Sequence, residues 1–277
     1  MGVPRLLCVV AHPDDETFGC GSILLHAAAR GARTAVCCAT RGERGASADP
    51  GLDPDQLGAV REAELRAAAE MLGVSEVSLL GMRDSGMDGL ADEGTLVATP
   101  VELVARSIAE VIEQFRPHVV LTLDGADGHR DHGHVRDATL LAVGGDPGPG
   151  TPTVYLHALP RSLLRRWADH MRAIRPDSPY LDIDELGLGT PDVDITTTLD
   201  VSPYLQQRRA AIACHASQVS PYSELPSELE RAFLATDHLR RVVPPPQGAV
   251  TDDGDLLAAI DLGSQRPPAT PSGSPLR

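Results

Sequence analysis

The 277-residue sequence contains no lysine. Its 24 basic residues are all arginine, they face 39 acidic ones, and the formal net charge is −15. Such an acidic surface argues against nucleic acid as the main partner and against adhesion to anionic membranes. No apolar run approaches the ~18–20 residues that cross a bilayer, which excludes an integral helical membrane protein. No secretory leader pattern is present. Only Arg5 precedes the run Leu6–Ala11, which ends at once in His12, Asp14, Asp15 and Glu16. The five cysteines form no CxxC spacing. The apolar surroundings of Cys8, Cys37 and Cys38 predict buried, reduced thiols, no disulfide and a cytoplasmic protein. Aromatic residues make up only 3%, and Trp167 and its few companions form no stacking stripe. The absence of Gly-x-Ser-x-Gly argues against a serine-hydrolase elbow. Gly19-Cys20-Gly21 opens like a dinucleotide fingerprint, but position 24 is Leu and the third glycine is missing.

What is present is an alternation of buried-strand and helical patterns. Leu6–Val10, Thr34–Ala39, Val77–Leu80 and Val119–Leu123 read as strands. Helical patterns run over Thr17–Arg30, Pro54–Leu72 (with Asp53 as N-cap), Val101–Phe115 and about His132–Leu141. This β-α alternation predicts an α/β fold: a Rossmann-like, mostly parallel sheet flanked by helices, with the active site at the carboxyl ends of the strands. Farther on, Gly144–Pro152 reads as a loop, Thr153–Leu159 and Val193–Leu199 as strands, and Leu163–Arg172, Tyr204–His215 and Leu229–Arg241 as helices. We expect a single domain over residues 1–262 and a flexible Pro/Gly/Ser-rich tail over 263–277. A homo-oligomer is left open.

Two loops concentrate the chemistry. Ala11-His12-Pro13-Asp14-Asp15-Glu16 places three carboxylates and an imidazole directly after the first strand. That much negative charge at a buried strand end calls for a positive partner, and a divalent metal supplies one. An acidic helix N-terminus, favoured by the helix dipole, is the plainer alternative. The second loop, Asp124-Gly125-Ala126-Asp127-Gly128-His129-Arg130-Asp131-His132, follows the fourth strand. In a doubly wound sheet the loops after strands one and four can meet at the switch point, where His12, Asp15 and one of the second loop's histidines would complete a His-Asp-His triad. His134 reads as helix surface.

With these residues in hand, the chain resembles the LmbE-like, or PIG-L-like, metal-dependent de-N-acetylases. The resemblance rests on His12-Pro13-Asp14-Asp15-Glu16 and His129-Arg130-Asp131-His132. Thr40-Arg41-Gly42-Glu43, Arg61, Arg83-Asp84-Ser85-Gly86-Met87 and His215-Ala216-Ser217-Gln218 add to it. It implies one zinc ion per chain held by His12, Asp15 and His132, with Asp14 as general base. It implies that His129, as an imidazolium, stabilises the oxyanion or protonates the leaving amine, and that Asp131 orients a histidine. Arg41, Glu43, Arg61, Asp84 and His215 become candidates for substrate binding. Each also has a plainer reading: Arg61 as a helix-surface charge, Asp84 as a turn former, His215 as a cation closing a helix. The implied activity is hydrolysis of an N-acetyl or N-acyl group from a soluble amino-sugar metabolite. The alternatives are an amidase of thiol conjugates and a non-catalytic sugar sensor on the same fold. Two departures stand out: Asp127 where relatives in thiol metabolism often carry Tyr, and Arg130 where many members have Pro.

Overall fold

The computed structural model describes residues 3–47, 51, 53–144, 148 and 150–245. The tail expected over 263–277 and the end of the expected domain lie outside them, as does part of the loop 144–152. In chain order the elements are β1 (Arg5–Val10), α1 (Asp15–Phe18), α2 (Gly21–Ala29), β2 (Arg33–Cys38), α3 (Pro54–Met71), β3 (Glu76–Leu79), α4 (Val101–Phe115), β4 (Val119–Leu123), α5 (Arg130–Val143), β5 (Thr153–His157), α6 (Arg161–Ile174), β6 (Thr197–Asp200), α7 (Leu205–Ile212), α8 (Ser227–Leu234) and β7 (Thr236–Val243). The strands form one sheet in the order β3-β2-β1-β4-β5-β7-β6. The first five strands are parallel, and β7 runs antiparallel to both β5 and β6.

Strand β1 shows why the sheet is covered on both faces. Leu6, Cys8 and Val10 point into one core with Ile23, Leu24 and Leu65, whereas Leu7, Val9 and Ala11 point into another with Val104, Ile108 and Val135. The period-2 alternation of a strand therefore feeds two apolar layers, one against α2 and α3 and one against α4 and α5. All five cysteines are free, and Cys8, Cys37 and Cys38 are buried, as their apolar runs require.

Several boundaries differ from those read in the sequence. The helix expected over Thr17–Arg30 is two helices broken at Gly19–Cys20. At Gly19 a Cβ would come within 2.7 Å of Leu123 Cδ2, so the chain turns where β4 approaches most closely. The helix expected over Leu229–Arg241 ends at Leu234. The rest is β7, whose buried Asp237, Leu239 and Val243 follow strand spacing. Sheet pairing overrode a run with fair helical character. The strand expected over Val193–Leu199 begins only at Thr197.

Helix α7 anchors the motif loop from behind. Arg208, only 1% exposed, donates to Ser22 Oγ at 2.9 Å, to Gly19 O at 3.3 Å and to Phe18 O, and it pairs with Asp237 at 3.2 Å. Replacing one member of such a buried pair strands the other charge. Arg208→Met should cost about 3–5 kcal/mol, which lowers Tm by on the order of 10 °C in a thermal melt. Burial alone would raise the Asp237 carboxyl, but Arg208 and His157 hold it below the ordinary range. Its stabilisation is thus complete above the ordinary carboxylate pKa of about 4 and is lost as pH falls through the lower folded value. The gap between wild type and variant should narrow in acid. An unchanged Tm at neutral pH would show that the pair does not anchor this loop.

Candidate active site

Strands β1 and β4 are adjacent and parallel, so the loops leaving their carboxyl ends meet. This juxtaposition brings His12 and Asp15 against His132. His12 Nδ1 and His132 Nε2 lie 3.3 Å apart. Asp15 Oδ1 is 3.2 Å from His132 Nε2, and Asp15 Oδ2 is 3.4 Å from His12 Nδ1. All three residues are less than 10% exposed. An ion bonded to nitrogen at about 2.0–2.1 Å holds tetrahedral ligands about 3.3 Å apart, so the spacing fits a divalent metal.

The far nitrogen of each imidazole is held by a carboxylate. His12 Nε2 lies 3.1 Å from Asp131 Oδ2 and 3.6 Å from Asp84 Oδ1. His132 Nδ1 lies 2.5 Å from Asp127 Oδ2. These carboxylates set the ring orientation and leave the opposite nitrogens free to face one another. Two other groupings place donor atoms within 4.8 Å, His12–His129–His132 and His12–Asp84–Asp131. In the second, the carboxylates engage the His12 nitrogen that the triad does not use, so they orient the ring.

Asp14 points elsewhere. Its φ of 117° lies in a region that non-glycine residues rarely occupy. The strained turn is held by Thr17 N and Phe18 N donating to Asp14 O at 2.9 and 2.7 Å, and by Asp14 N donating to Glu16 Oε2 at 2.9 Å. Glu16 Oε1 is in turn met by His215 Nε2 at 2.8 Å. The turn sends the Asp14 carboxylate toward Arg61, 3.0 Å away, while Asp15 faces the histidines.

The electrostatics separate the roles. Burial pushes the Asp14 carboxyl up to about 7, and Arg61 opposes the rise. Burial would also raise Asp15, but His132 and His12 hold it well below its usual range. Burial depresses imidazolium, yet Asp15 and Asp127 carry His132 up to about 10, and Asp131, Asp15 and Asp84 raise His12. Burial together with the nearby His12 and His132 pushes His129 down to about 4. These surroundings favour the neutral His129 ring, where the resemblance implies an imidazolium. Its Nδ1 accepts from Asp131 N at 3.2 Å, which leaves the ring proton on Nε2.

The candidate substrate residues divide. Arg61 and Asp84 line the cavity, and both are 3% exposed. Arg61 donates to Gly42 O at 2.8 Å and Pro13 O at 2.6 Å, so it braces the motif loop rather than lying on the helix surface. A Cβ at Gly42, where φ is +66°, would lie 2.2 Å from its guanidinium. Asp84 accepts from Gly86 N at 2.7 Å and Arg44 N at 3.2 Å. Arg41, Glu43 and His215 do not line the cavity: Arg41 pairs with Glu62 at 2.7 Å, Glu43 accepts from Asp84 N at 3.1 Å, and His215 is buried behind Glu16. His134 is half-buried between α5 and α4 and reaches Thr99 O at 3.0 Å.

Sequence reasoning assigned no task to Asp127, Glu16 or Arg44. Asp127 was legible only as a departure, and its partner His132 lies five residues on, in the first turn of α5. Arg44 lines the cavity, and only the chain crossing between β2 and α3 brings it there. The second departure also acquires a role. Arg130 donates to the carbonyl oxygens of Gly86 at 2.7 Å, Gly89 at 2.8 Å, Asp88 at 3.0 Å and Ser85. It clamps the loop after β3 over the site.

Residues 7–143 match the family model described as PIG-L: GlcNAc-PI de-N-acetylase. The 1D-myo-inositol 2-acetamido-2-deoxy-α-D-glucopyranoside deacetylase of Geodermatophilus obscurus is 34% identical over 288 residues, covering 92% of this chain and 98% of that protein. Among solved structures, the zinc-inhibited form of teicoplanin deacetylase Orf2 is similar with a TM-score of 0.56 at 22% identity, covering 86% of this chain and 98% of that one. The 4-carboxy-2-hydroxymuconate hydratase of Pseudomonas putida KT2440 gives 0.59 at 20% identity, covering 90% and 100%. A hydratase and a deacetylase on one fold show that fold similarity alone does not select the chemistry.

Proposed function

Because the chain belongs to the PIG-L family of de-N-acetylases, we propose that it is a zinc-dependent hydrolase removing the N-acetyl group of an N-acetylglucosamine-containing metabolite. The observation that carries this reading is the triangle of His12 Nδ1, His132 Nε2 and Asp15 with sides of 3.2–3.4 Å, beside an Asp14 turned away from it. Two imidazole nitrogens, which give up their protons when an ion binds, and one carboxylate form a set typical of an open zinc site.

A divalent ion held by His12, Asp15 and His132 would polarise the amide carbonyl as a Lewis acid and lower the pKa of water. Asp14, buried beside Arg61, accepts the proton of the attacking water and is poised for it near neutrality. The positive charge of Arg61 keeps the Asp14 carboxylate oriented. His129 donates its Nε2 proton in a hydrogen bond to the carbonyl oxygen as negative charge develops there. The C–N bond breaks, the carbonyl carbon leaves as acetate, and Asp14 returns its proton to the departing amine. Asp127 and Asp131 act through the histidines they orient, and Glu16 with His215 secures the strained turn under Asp14.

The test is a mass-spectrometric screen of the zinc-loaded protein. It covers N-acetylated amino-sugar metabolites, the inositol glycoside named for the Geodermatophilus relative and thiol-conjugate amides. Loss of acetyl from an amino sugar is expected. Cleavage confined to thiol conjugates would move the reading to an amidase, and no cleavage of any amide would overturn it.

A further inference from the structure

The cavity that holds the triad has a volume of about 670 Å³ and two chemically different walls. Toward the loops after β1, β2 and β3 the wall is charged, with Arg44, Arg61 and Asp84. Beyond the histidines of the second loop, the side toward β4, β5, α6 and α8 is mainly apolar, with Leu123, Leu159, Leu164, Trp167, Leu225 and Phe233 and the single imidazole of His157. The chain has one Trp, four Tyr and three Phe, and five of these eight (Phe18, Trp167, Tyr180, Tyr222 and Phe233) line this one cavity. A sequence so poor in aromatics places most of them on a concave surface outside the two layers that cover the sheet, with Trp167 backed by a third apolar cluster of Ala168, Met171, Leu181, Ile183 and Leu188.

Polar atoms on this wall are few, and two of them are already engaged. Tyr222 OH donates to Phe18 O at 2.7 Å, and His157 Nε2 lies 3.5 Å from Asp237. Such a wall offers a second sugar ring little to bond, and sugar hydroxyls buried against it would lose their hydrogen bonds to water. Apolar side chains also continue to the rim, where Met87, Tyr180 and Val219 are 42%, 37% and 63% exposed. Water resting between such surfaces finds few partners and is readily displaced by an apolar group. The volume is about twenty times the ~30 Å³ share of one water molecule, well beyond what an acetyl methyl fills.

We propose that the apolar half of this cavity is a subsite for a hydrophobic substituent on the amino-sugar substrate, of six carbons or more, carried either as the aglycone or as the acyl group of the scissile amide. The proposal rests on the de-N-acetylase reading for the reaction but not for the binding, which can be measured separately. Trp167 is the chain's only tryptophan and lines the subsite, so its fluorescence reports occupancy directly.

The experiment compares three compounds on the zinc-loaded protein: methyl N-acetylglucosaminide, octyl N-acetylglucosaminide and methyl N-octanoylglucosaminide. Each is titrated against Trp167 fluorescence and assayed for release of free amine. A buried methylene contributes about fourfold in affinity, so at least a tenfold tighter Kd is expected for one eight-carbon compound. The preferred compound identifies the source of the chain, aglycone or acyl. Leu164→Gln on the apolar wall, or Val219→Asp at the exposed rim, should reduce that preference several-fold. If neither long-chain compound binds more tightly than the methyl N-acetyl compound, or if both variants keep the full preference, the subsite is wrong. In that case hydrolysis of the methyl compound would leave the de-N-acetylase reading standing. Tight, Trp167-reported binding without hydrolysis of any compound would support the subsite and overturn the reaction.

Discussion

Asp14→Asn protein should keep its metal and its fold and lose about 10²–10⁴-fold in kcat with little change in KM. Asparagine preserves the size of the side chain and an oxygen for Arg61, which stands 3.0 Å from the carboxylate. What it removes is the proton acceptor. Because Asp14 lies outside the donor triangle, its loss leaves the three ligands in place. Its backbone, strained at φ 117°, is held by Glu16 and by the amides of Thr17 and Phe18, none of which needs the carboxylate. His129→Ala should give the same kinetic pattern, since a donor to the developing oxyanion acts on the transition state. Metal content and kcat are to be measured on the same preparations. Metal-free Asp14→Asn protein, or a metal-loaded and nearly fully active one, would end the division of labour between Asp14 and Asp15.

His132→Ala is expected to abolish stoichiometric metal binding. It removes one of three protein ligands and leaves Asp15 and His12 facing a gap. Asp127→Ala should show the graded version of this effect. With its Oδ2 2.5 Å from His132 Nδ1 and its Oδ1 accepting from the backbone N of His129 at 3.1 Å, Asp127 fixes the His132 ring and the turn that leads into α5. Loss of such an orienting carboxylate typically costs about 10–100-fold in metal affinity. Elemental analysis after dialysis and competition with a chelator separate the two variants. Full metal occupancy in His132→Ala protein would strike His132 from the ligand set, and unchanged affinity in Asp127→Ala would reduce Asp127 to a local turn former.

Much of this site is legible because it is local. Residues 12–16 carry two candidate ligands and the candidate base within five positions, and residues 127–132 carry the third candidate ligand, its orienting acid and the candidate oxyanion donor. The loops bearing them follow the first and fourth strands, and the alternation of apolar runs already marks those ends as the functional edge. The apolar wall is not legible in the same way. Phe18, Trp167, Tyr180, Tyr222 and Phe233 come from five separate stretches with no common period. In sequence they form no stripe, and only the packing of α6 with α8, and of the segments between them beside α1, assembles them.

The substrate-binding candidates show the same limit from the other side. Arg41 and Arg61 are both arginines near the second strand and the helix that follows it. Helix α3 places Arg61 inward, to brace Pro13 and Gly42, while Arg41 turns outward to Glu62. Periodicity can rank them as surface or interior, but it does not say which carbonyl oxygens each one meets. The protonation of His129 is a tertiary matter too. A histidine is expected near its ordinary value until burial and two neighbouring imidazoles push it down.

By itself, then, the sequence determined the element alternation, the parallel sheet and the clustering of metal donors after two strands. These follow from period-2 and period-3.6 patterns and from local charge that needs a counter-charge. It also determined that the thiols of Cys8, Cys37 and Cys38 are buried, because they lie inside strands covered on both faces. Only the tertiary structure decided which nitrogen of each histidine faces the triangle, because the carboxylates that hold the opposite nitrogens reach His12 from residues 84 and 131 and His132 from residue 127. It alone decided that residues 236–243 are a strand rather than a helical turn, since pairing with β5 and β6 satisfies their backbone groups. And it alone set the shape and polarity of the cavity, a property of surfaces that meet across the fold and not of any one segment.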